Sequence, residues 1–413
     1  MKVLLSAYSC LPRSGSEPGV GWNWAQCIAA NGHDVVVLTR TVNRGQIEEF
    51  IECNSIQPVR FLYHDLGRMW QRIYKLPLGN YCYYFLWQYT AAERARNVHR
   101  TEQFDWVQHV TWASFRVPSF MGRLKTHFIF GPVGGGEDTP KSLRRGLGWR
   151  GRLWDAMRRL SSGLMAPWMG FTYRSASEIV ATTRETQRRI PAKYHYKTKI
   201  KLTVGSDPET IADFLKQRTE DPVPRSSSRL ELLYVGRLLP WKGIHLILKA
   251  LALISDCNSR MHLTLIGSGR DLSRLQRLSR RLNVAELVTW EPWMPREELI
   301  GLYSRFHLFT FPSLHDSGGT AVLEALTFGL PVICLDLGGP GMVVNDKCGR
   351  VISTAGVGED EVVAAIAQFL IDIERDRGML GRLSQSARKH AATLTWQANV
   401  NSLYSEFLAP QSN

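Results

Sequence analysis

Pro312-Ser313-Leu314-His315-Asp316-Ser317-Gly318-Gly319-Thr320-Ala321-Val322-Leu323-Glu324-Ala325-Leu326 is the stretch whose reading decides the fold. The apolar run Leu308-Phe309-Thr310-Phe311 precedes it and predicts a buried strand. A loop of small residues follows, and then a helix from about Gly319 to Phe328. Asp316 falls in the loop and Glu324 on the helix, with seven residues between them. The first turn of such a helix leaves backbone N–H groups unpaired, and these attract an anion such as a phosphate. Two carboxylates suit sugar hydroxyls and the helix end suits phosphate, a combination that fits a nucleotide-sugar.

Working outward, strand and helix alternate on both sides. Strands are predicted at Glu231–Val235, His262–Ile266, Val288–Trp290 and Pro331–Leu335, with helices at Ile244–Ile254, Asp271–Leu282 and Arg296–Ser304. In the first half, strands are predicted at Lys2–Ala7, Asp34–Thr39, Phe61–His64, Trp106–His109, His127–Phe130 and Glu178–Ala181. Helices are predicted at Gly19–Asn31 and Leu86–Arg100, and Tyr63–Tyr84 reads as a long loop. Strands separated by helices imply parallel sheets with both faces covered. The run Glu220-Asp221-Pro222-Val223-Pro224-Arg225-Ser226-Ser227-Ser228-Arg229 lacks apolar periodicity and marks a linker. The expected division is a first Rossmann-like domain over 1–220, a linker over 221–229, a second Rossmann-like domain over 230–390, and a helical tail over 391–413.

The loop after the first strand of the second half reads Tyr234-Val235-Gly236-Arg237-Leu238-Leu239-Pro240-Trp241-Lys242-Gly243. Parallel sheets bind ligands beyond the carboxyl ends of their strands. Arg237 can grip a phosphate with two N–H groups and Lys242 adds a point charge. Taken alone, the segment also fits a surface turn with ordinary cations. Gly267-Ser268-Gly269 lacks the third glycine of a dinucleotide fingerprint, yet it ends a strand and is expected to line the base and ribose pocket. Trp290–Met294 is a candidate for base contacts and Gly338–Gly341 for the floor of the site.

In the first half, Ser14-Gly15-Ser16-Glu17-Pro18-Gly19-Val20-Gly21 opens a helix after the first strand. Gly15, Gly19 and Gly21 would let backbone approach a phosphate or an acceptor, and Glu17 either binds an acceptor hydroxyl or caps the helix. Glu137, after Gly134-Gly135-Gly136, is a further candidate acceptor contact. His109 is read at a strand end, either as a structural histidine or as a site residue. No convincing D-x-D pair appears; Asp372-Ile373-Glu374 is nearest and lies in a helical pattern. No catalytic metal and no cofactor is expected.

A length of 413 residues suits two domains, and 44% hydrophobic residues make the chain globular. The net charge of +14 comes from 51 basic and 37 acidic residues. No finger, zinc or RNA-binding signature accompanies it, so no nucleic-acid partner is expected. Between Lys141 and Arg174, Arg144, Arg145, Arg150, Arg152, Arg158 and Arg159 interleave with Trp149, Leu153, Trp154, Met157, Leu160, Leu164, Met165, Trp168 and Met169. Basic and apolar residues at helical spacing can lie on an anionic membrane, and a core helix with a solvated basic face has the same pattern. Seven scattered cysteines without a C-x-x-C pair suit a reducing compartment. No run approaches the roughly 20 apolar residues of a span. The expected location is cytoplasmic, peripheral on the inner face of the cytoplasmic membrane.

The Asp316/Glu324 pair, with Gly236-Arg237 and Lys242-Gly243, resembles the motifs of retaining glycosyltransferases of family 4, the glycogen-synthase-like group with the GT-B fold. The resemblance implies two Rossmann-like domains facing a central cleft, with the last helix crossing back to the first. It implies transfer of a sugar from a GDP- or UDP-sugar to a glycan acceptor, without a metal. Arg237 and Lys242 would neutralise the donor diphosphate, Glu324 would hold the ribose, and Asp316 the sugar. Gly236, Gly267, Gly269, Ser317, Gly318, Gly319 and Thr320 would complete the donor site, and His109 would contact the donor sugar. Asp316 stands where the family usually has Glu. Retention implies a front-face route in which the departing phosphate helps deprotonate the acceptor. A polyprenyl-linked acceptor would place the product in exopolysaccharide, O-antigen or capsule. Two other readings stay open: another GT-B enzyme, such as a nucleotide-sugar epimerase or a phosphorylase, and a non-catalytic nucleotide-binding, membrane-associated protein.

Overall fold

The computed structural model describes residues 1–76, 79–206, 229–254 and 260–408, without the side chains of Ser16, Arg150, 158–164, Ala166 and 406–408. The chain divides into two compact units, one made of Met1–Gly136, Arg158–Thr203 and Trp396–Asn413, the other of Glu137–Met157 and Val204–Thr395.

The first unit is built on β1 (Lys2–Ala7), β2 (Asp34–Thr39), β3 (Val59–Tyr63), β4 (Trp106–Thr111), β5 (His127–Val133), β6 (Glu178–Ala181) and β7 (Thr198–Ile200). They pair in the order β3-β2-β1-β4-β5-β6-β7, all parallel, with Val3 set between Val35 and Trp106. Alternate residues of a strand face opposite sides, so β1 feeds two cores. Val3, Leu5 and Ala7 pack with Trp24, Ala25 and Ile28 of the helix Ser16–Ala30. Leu4 packs with Tyr83, Tyr84, Trp87 and Ala91 of the helix Gly79–Glu102. Burial on both faces explains why these strands read as continuous apolar runs.

The helix Trp396–Leu408 belongs to this first core. Trp396, Val400, Leu403 and Tyr404 fall on one face at helical spacing and pack with the β1 side. The Tyr404 ring stacks on Trp106 with centroids 5.3 Å apart, and its hydroxyl donates to Gln108 Oε1.

The second unit contains β8 (Leu230–Val235), β9 (Met261–Ile266), β10 (Val288–Glu291), β11 (Leu308–Phe311), β12 (Val332–Leu335) and β13 (Gly349–Ile352). Their order is β10-β9-β8-β11-β12-β13, again all parallel. In each sheet the order of strand addition reverses once, between β1 and β4 and between β8 and β11. Open α/β sheets bind ligands beyond the strand ends at such a reversal.

Four expectations need correction. Tyr63–Tyr84 is no long loop: it holds the helix Arg68–Tyr74 and the start of Gly79–Glu102, while Pro77 and Leu78 lie outside the described residues. Tyr83, Tyr84, Trp87, Ala91 and Ala95 are buried at helical spacing, and that burial overrides the strand preference of an aromatic run. His109 does not end its strand, because β4 continues to Thr111. Glu137–Met157 joins the second unit although it lies far inside the expected first domain, and the second unit resumes at Val204 rather than after 220. The expected linker, 221–229, lies outside the described residues except for Arg229.

Candidate functional site

Two loops meet at the reversal point of the second sheet. After β8 the chain runs through Gly236 and Arg237 into a single turn at Pro240–Lys242. After β11 it runs from Pro312 to Gly319, where the helix Thr320–Thr327 begins. The Leu314 N–H donates to the Trp241 carbonyl at 2.8 Å, so the two loops are joined through their backbones.

That junction brings Lys242 and Asp316 together. Lys242 Nζ donates to Asp316 Oδ2, while Asp316 Oδ1 accepts from the N–H groups of Gly318 (3.2 Å) and Gly319 (2.9 Å). Gly319 has φ +72°, a left-handed turn that glycine adopts without steric cost, and the turn aims its N–H at the carboxylate. Burial alone would raise the Asp316 pKa. The charge and hydrogen bond of Lys242, the Gly319 amide and nearby His315 outweigh it and hold the carboxyl below its ordinary value. Asp316 is therefore ionised at neutral pH, and the cation expected at the diphosphate is paired with the acid expected at the sugar.

Glu324 lies on the next helix and is held from two sides. Arg296 Nε donates to Oε1 at 2.8 Å, and the Tyr303 hydroxyl reaches Oε2 at 3.5 Å. Arg237 is exposed and makes no ion pair among the described residues. Gly236, Gly267 and Gly269 serve backbone packing: a Cβ on Gly267 would stand 2.0 Å from the Gly236 carbonyl oxygen, and one on Gly269 2.1 Å from that of Leu238. These contacts lay the loops after β8 and β9 side by side. Thr320 opens the helix that follows Gly319.

Glu137, expected at the acceptor with the first domain, is placed in the second unit. It is 1% exposed and accepts a hydrogen bond from Ser317 Oγ at 2.7 Å. Its neighbouring segment is also engaged there. Trp154 stacks on Trp241 with centroids 6.3 Å apart, and Arg270 lies over both rings. Arg144 bonds the Thr139 carbonyl and lies 3.7 Å from Asp155. Trp154 and Arg144 are thus engaged within the unit, as the alternative reading of a core helix with a solvated basic face expects. The side chains of Arg150, Arg158, Arg159, Leu160 and Leu164 lie outside the described residues. Trp149, Leu153 and Met157 do point outward, at 65%, 55% and 49% exposure.

In the first unit, the loops after β1 and β4 are tied by Glu17, whose Oε2 accepts the Trp112 N–H at 3.0 Å. The residue keeps surface, but burial of its carboxyl end raises its pKa against the Trp112 bond. Gly19 and Gly21 are required by contact: a Cβ would stand 2.0 Å from the Ser14 carbonyl oxygen and 2.4 Å from that of Ser9. Gly15 faces open space. His109 is wholly buried; Nε2 meets the Tyr84 hydroxyl at 3.1 Å and the Thr111 carbonyl at 3.0 Å. Burial lowers its pKa to about 4, so it is neutral. The structure therefore shows a histidine held within the sheet, and a direct sugar contact would require its surroundings to open.

Arg296, Tyr303, Trp241 and Arg270 were not singled out from sequence. Trp241 sits inside the quoted loop and could have been found there. The Arg296–Glu324 pairing leaves no trace in local spacing. Among the described residues no three His, Cys, Asp or Glu side chains converge as a metal site.

Two family models match the chain: "Glycosyl transferases group 1" over residues 215–390, and "Glycosyl transferase 4-like domain" over residues 15–202. The chain belongs to the group 1 glycosyltransferases of family 4. A D-inositol 3-phosphate glycosyltransferase of Corynebacterium jeikeium is 29% identical to it over 212 residues, 49% of this chain and 48% of that one. The chain thus matches about half the length of that relative. Sucrose-phosphate synthase of Thermosynechococcus elongatus superposes with a TM-score of 0.65 at 19% identity, covering 99% of each chain. Anabaena HepE, solved in complex with UDP, gives 0.61 at 15% identity, covering 99% of this chain and 100% of that one. At those identities the structural likeness speaks for the fold, which is GT-B, with its sheets of seven and six parallel strands. For this group 1 glycosyltransferase, the paired loops after β8 and β11 are the candidate donor site.

Proposed function

We propose that the chain is a retaining glycosyltransferase that takes a nucleoside-diphosphate sugar on its second unit. The observation that carries this reading is the meeting of Lys242 with Asp316 at the sheet reversal, with Glu324 held on the following helix. Arg237, exposed at the same loop, is the cation available to a diphosphate. In the proposed reaction the anomeric C–O bond to phosphate breaks and a bond to the acceptor oxygen forms on the same face. The acceptor proton passes to the departing phosphate. Arg237 and Lys242 stabilise the charge that develops on that phosphate, each by on the order of 3 kcal/mol. Asp316 takes the sugar hydroxyls, Glu324 the ribose, and no metal is needed. HepE, solved with UDP and with UDP-glucose, supports a uridine donor as the first to test.

For the acceptor we propose a lipid-linked glycan. Trp149, Leu153 and Met157 recur every fourth residue on the helix Gly148–Leu164 and form one exposed apolar face, with exposed Arg152 beside it. Such a face suits the interface of an anionic membrane. No helix among the described residues is long and apolar enough to cross one. The relative named for D-inositol 3-phosphate supports a second reading, a soluble sugar-phosphate acceptor.

Titration calorimetry with UDP, GDP, UDP-glucose and GDP-mannose, followed by donor turnover with a polyprenyl-phosphate glycan or inositol 3-phosphate, tests both readings. Binding of a nucleotide and its sugar with transfer to either acceptor is the expected result. A folded chain that binds none of the four ligands is not a glycosyltransferase of this kind.

A further inference from the structure

The segment Glu137–Met157 comes from the first half of the sequence but packs in the second unit at three places. At its start, buried Glu137 receives the Ser317 hydroxyl at 2.7 Å, and its Cγ lies 3.3 Å from where a Cβ on Gly338 would stand. Ser317 directly follows Asp316, so Glu137 holds the sugar-side loop. In the middle, the Gly146 carbonyl accepts Arg274 Nη1 at 3.0 Å, and Arg274 is fixed by two 2.7 Å bonds to Asp271. A Cβ on Gly146 would stand 2.1 Å from His245 Nε2, so the backbone lies flush against the unit there. At its end, Trp154 stacks on Trp241 beneath Arg270, and a Cβ on Gly151 would stand 2.9 Å from Pro240 Cβ. Trp241 precedes Lys242, so Trp154 holds the phosphate-side loop.

We propose that Glu137 and Trp154 are positioning residues, by which this segment sets the two donor loops separately: Glu137 the loop that meets the sugar, Trp154 the loop that meets the diphosphate. The inference rests on the reading of the second unit as a nucleotide-sugar site. A carboxylate buried against a serine hydroxyl is a directed contact, because a hydrogen bond to a charged acceptor is strong only in a narrow geometry. An arginine over two stacked tryptophans is likewise a fixed geometry. Each residue acts through a neighbour that stands next to a proposed ligand-binding group.

The test is titration calorimetry of the full chain with UDP and UDP-glucose, repeated with GDP and GDP-mannose, alongside thermal unfolding of each variant. Glu137→Ala is expected to bind the nucleotide within about twofold of wild type and to bind its sugar form about tenfold more weakly. Glu137→Gln should restore sugar-nucleotide binding, since its amide oxygen accepts the same bond. Ser317→Ala removes that bond from the other side and should reproduce the split, even where Glu137→Ala folds poorly. Trp154→Ala should weaken both ligands about tenfold and equally, and Trp154→Phe should keep most of the affinity. Equal losses of both ligands in Glu137→Ala and Ser317→Ala, or wild-type binding in all variants, would overturn the inference. Absence of any nucleotide binding by the wild-type chain would instead remove the donor-site reading on which it rests.

Discussion

Lys242 donates to the carboxylate of Asp316 across the two loops that leave β8 and β11, although the residues are 74 positions apart. Each satisfies the other, and both side chains are mostly shielded from water. In the proposed mechanism a bound diphosphate competes for the Lys242 charge and releases Asp316 toward sugar hydroxyls.

Removing one cation tests the leaving-group assignment. Arg237→Ala and Lys242→Ala are each expected to lower turnover about 100-fold, the rate equivalent of about 3 kcal/mol, while thermal unfolding stays cooperative. Steady-state donor turnover measures it, and a double variant with near-normal turnover would remove the phosphate role.

The two acids should separate by ligand. Glu324→Gln is expected to weaken nucleotide and nucleotide-sugar alike, whereas Asp316→Asn should weaken only the sugar-bearing donor. Arg296→Ala should resemble Glu324→Gln, and the double variant should add little, because residues in one hydrogen-bonded pair are not additive. Calorimetry with both ligand types decides; equal losses in Asp316→Asn would contradict the assignment.

Chelation should leave activity unchanged. In the proposed mechanism Arg237, Lys242 and the helix starting at Thr320 supply the positive charge that a metal would otherwise bring. Turnover lost in EDTA and restored by a divalent cation would replace this part of the mechanism.

Acid should destabilise the chain through two buried imidazoles. Burial lowers His109 to about 4; burial, then Arg274 and Lys249, lower His245 to about 3. Unfolded, each titrates near 6.5, so the unfolded chain binds more protons in between. Their contribution is complete above about pH 6.5 and falls by about 1.4 kcal/mol per pH unit for each group as the pH drops toward the folded values. Unfolding midpoints between pH 4.5 and 7 should slope less in His109→Asn and His245→Asn than in wild type. Parallel slopes would show that other groups govern the acid limb.

The exposed apolar stripe predicts a surface effect. Replacing Trp149, Leu153 and Met157 by Ser, with Arg145 and Arg152, should abolish co-sedimentation with phosphatidylglycerol vesicles and leave nucleotide binding intact. Added salt should weaken the wild-type association, because exposed charges are screened within about 8 Å at physiological ionic strength. Unchanged sedimentation would favour a soluble acceptor.

By itself the sequence determined two parallel α/β units and the loops that carry the candidate donor site. Those features are local: the apolar run Leu308–Phe311, the small residues to Gly319 and the helix bearing Glu324 are set by burial, glycine geometry and helical spacing within about twenty residues. The Asp316/Glu324 acids and the Arg237/Lys242 cations were legible for that reason. What they bond to was not. Lys242 faces Asp316, Arg296 faces Glu324 and Ser317 faces Glu137 because of the strand order β8-β11 and the docking of a distant segment. Lys141–Arg174 read either as a membrane-lying segment or as a core helix with a solvated basic face, since spacing shows that a face is apolar without showing what covers it. Only tertiary packing decided that Trp154 lies against Trp241 while Trp149 stays outside, and that His109 sits sealed between Tyr84 and Thr111. Side-chain burial depends on neighbours far apart in the chain, and periodicity records only that a neighbour is needed.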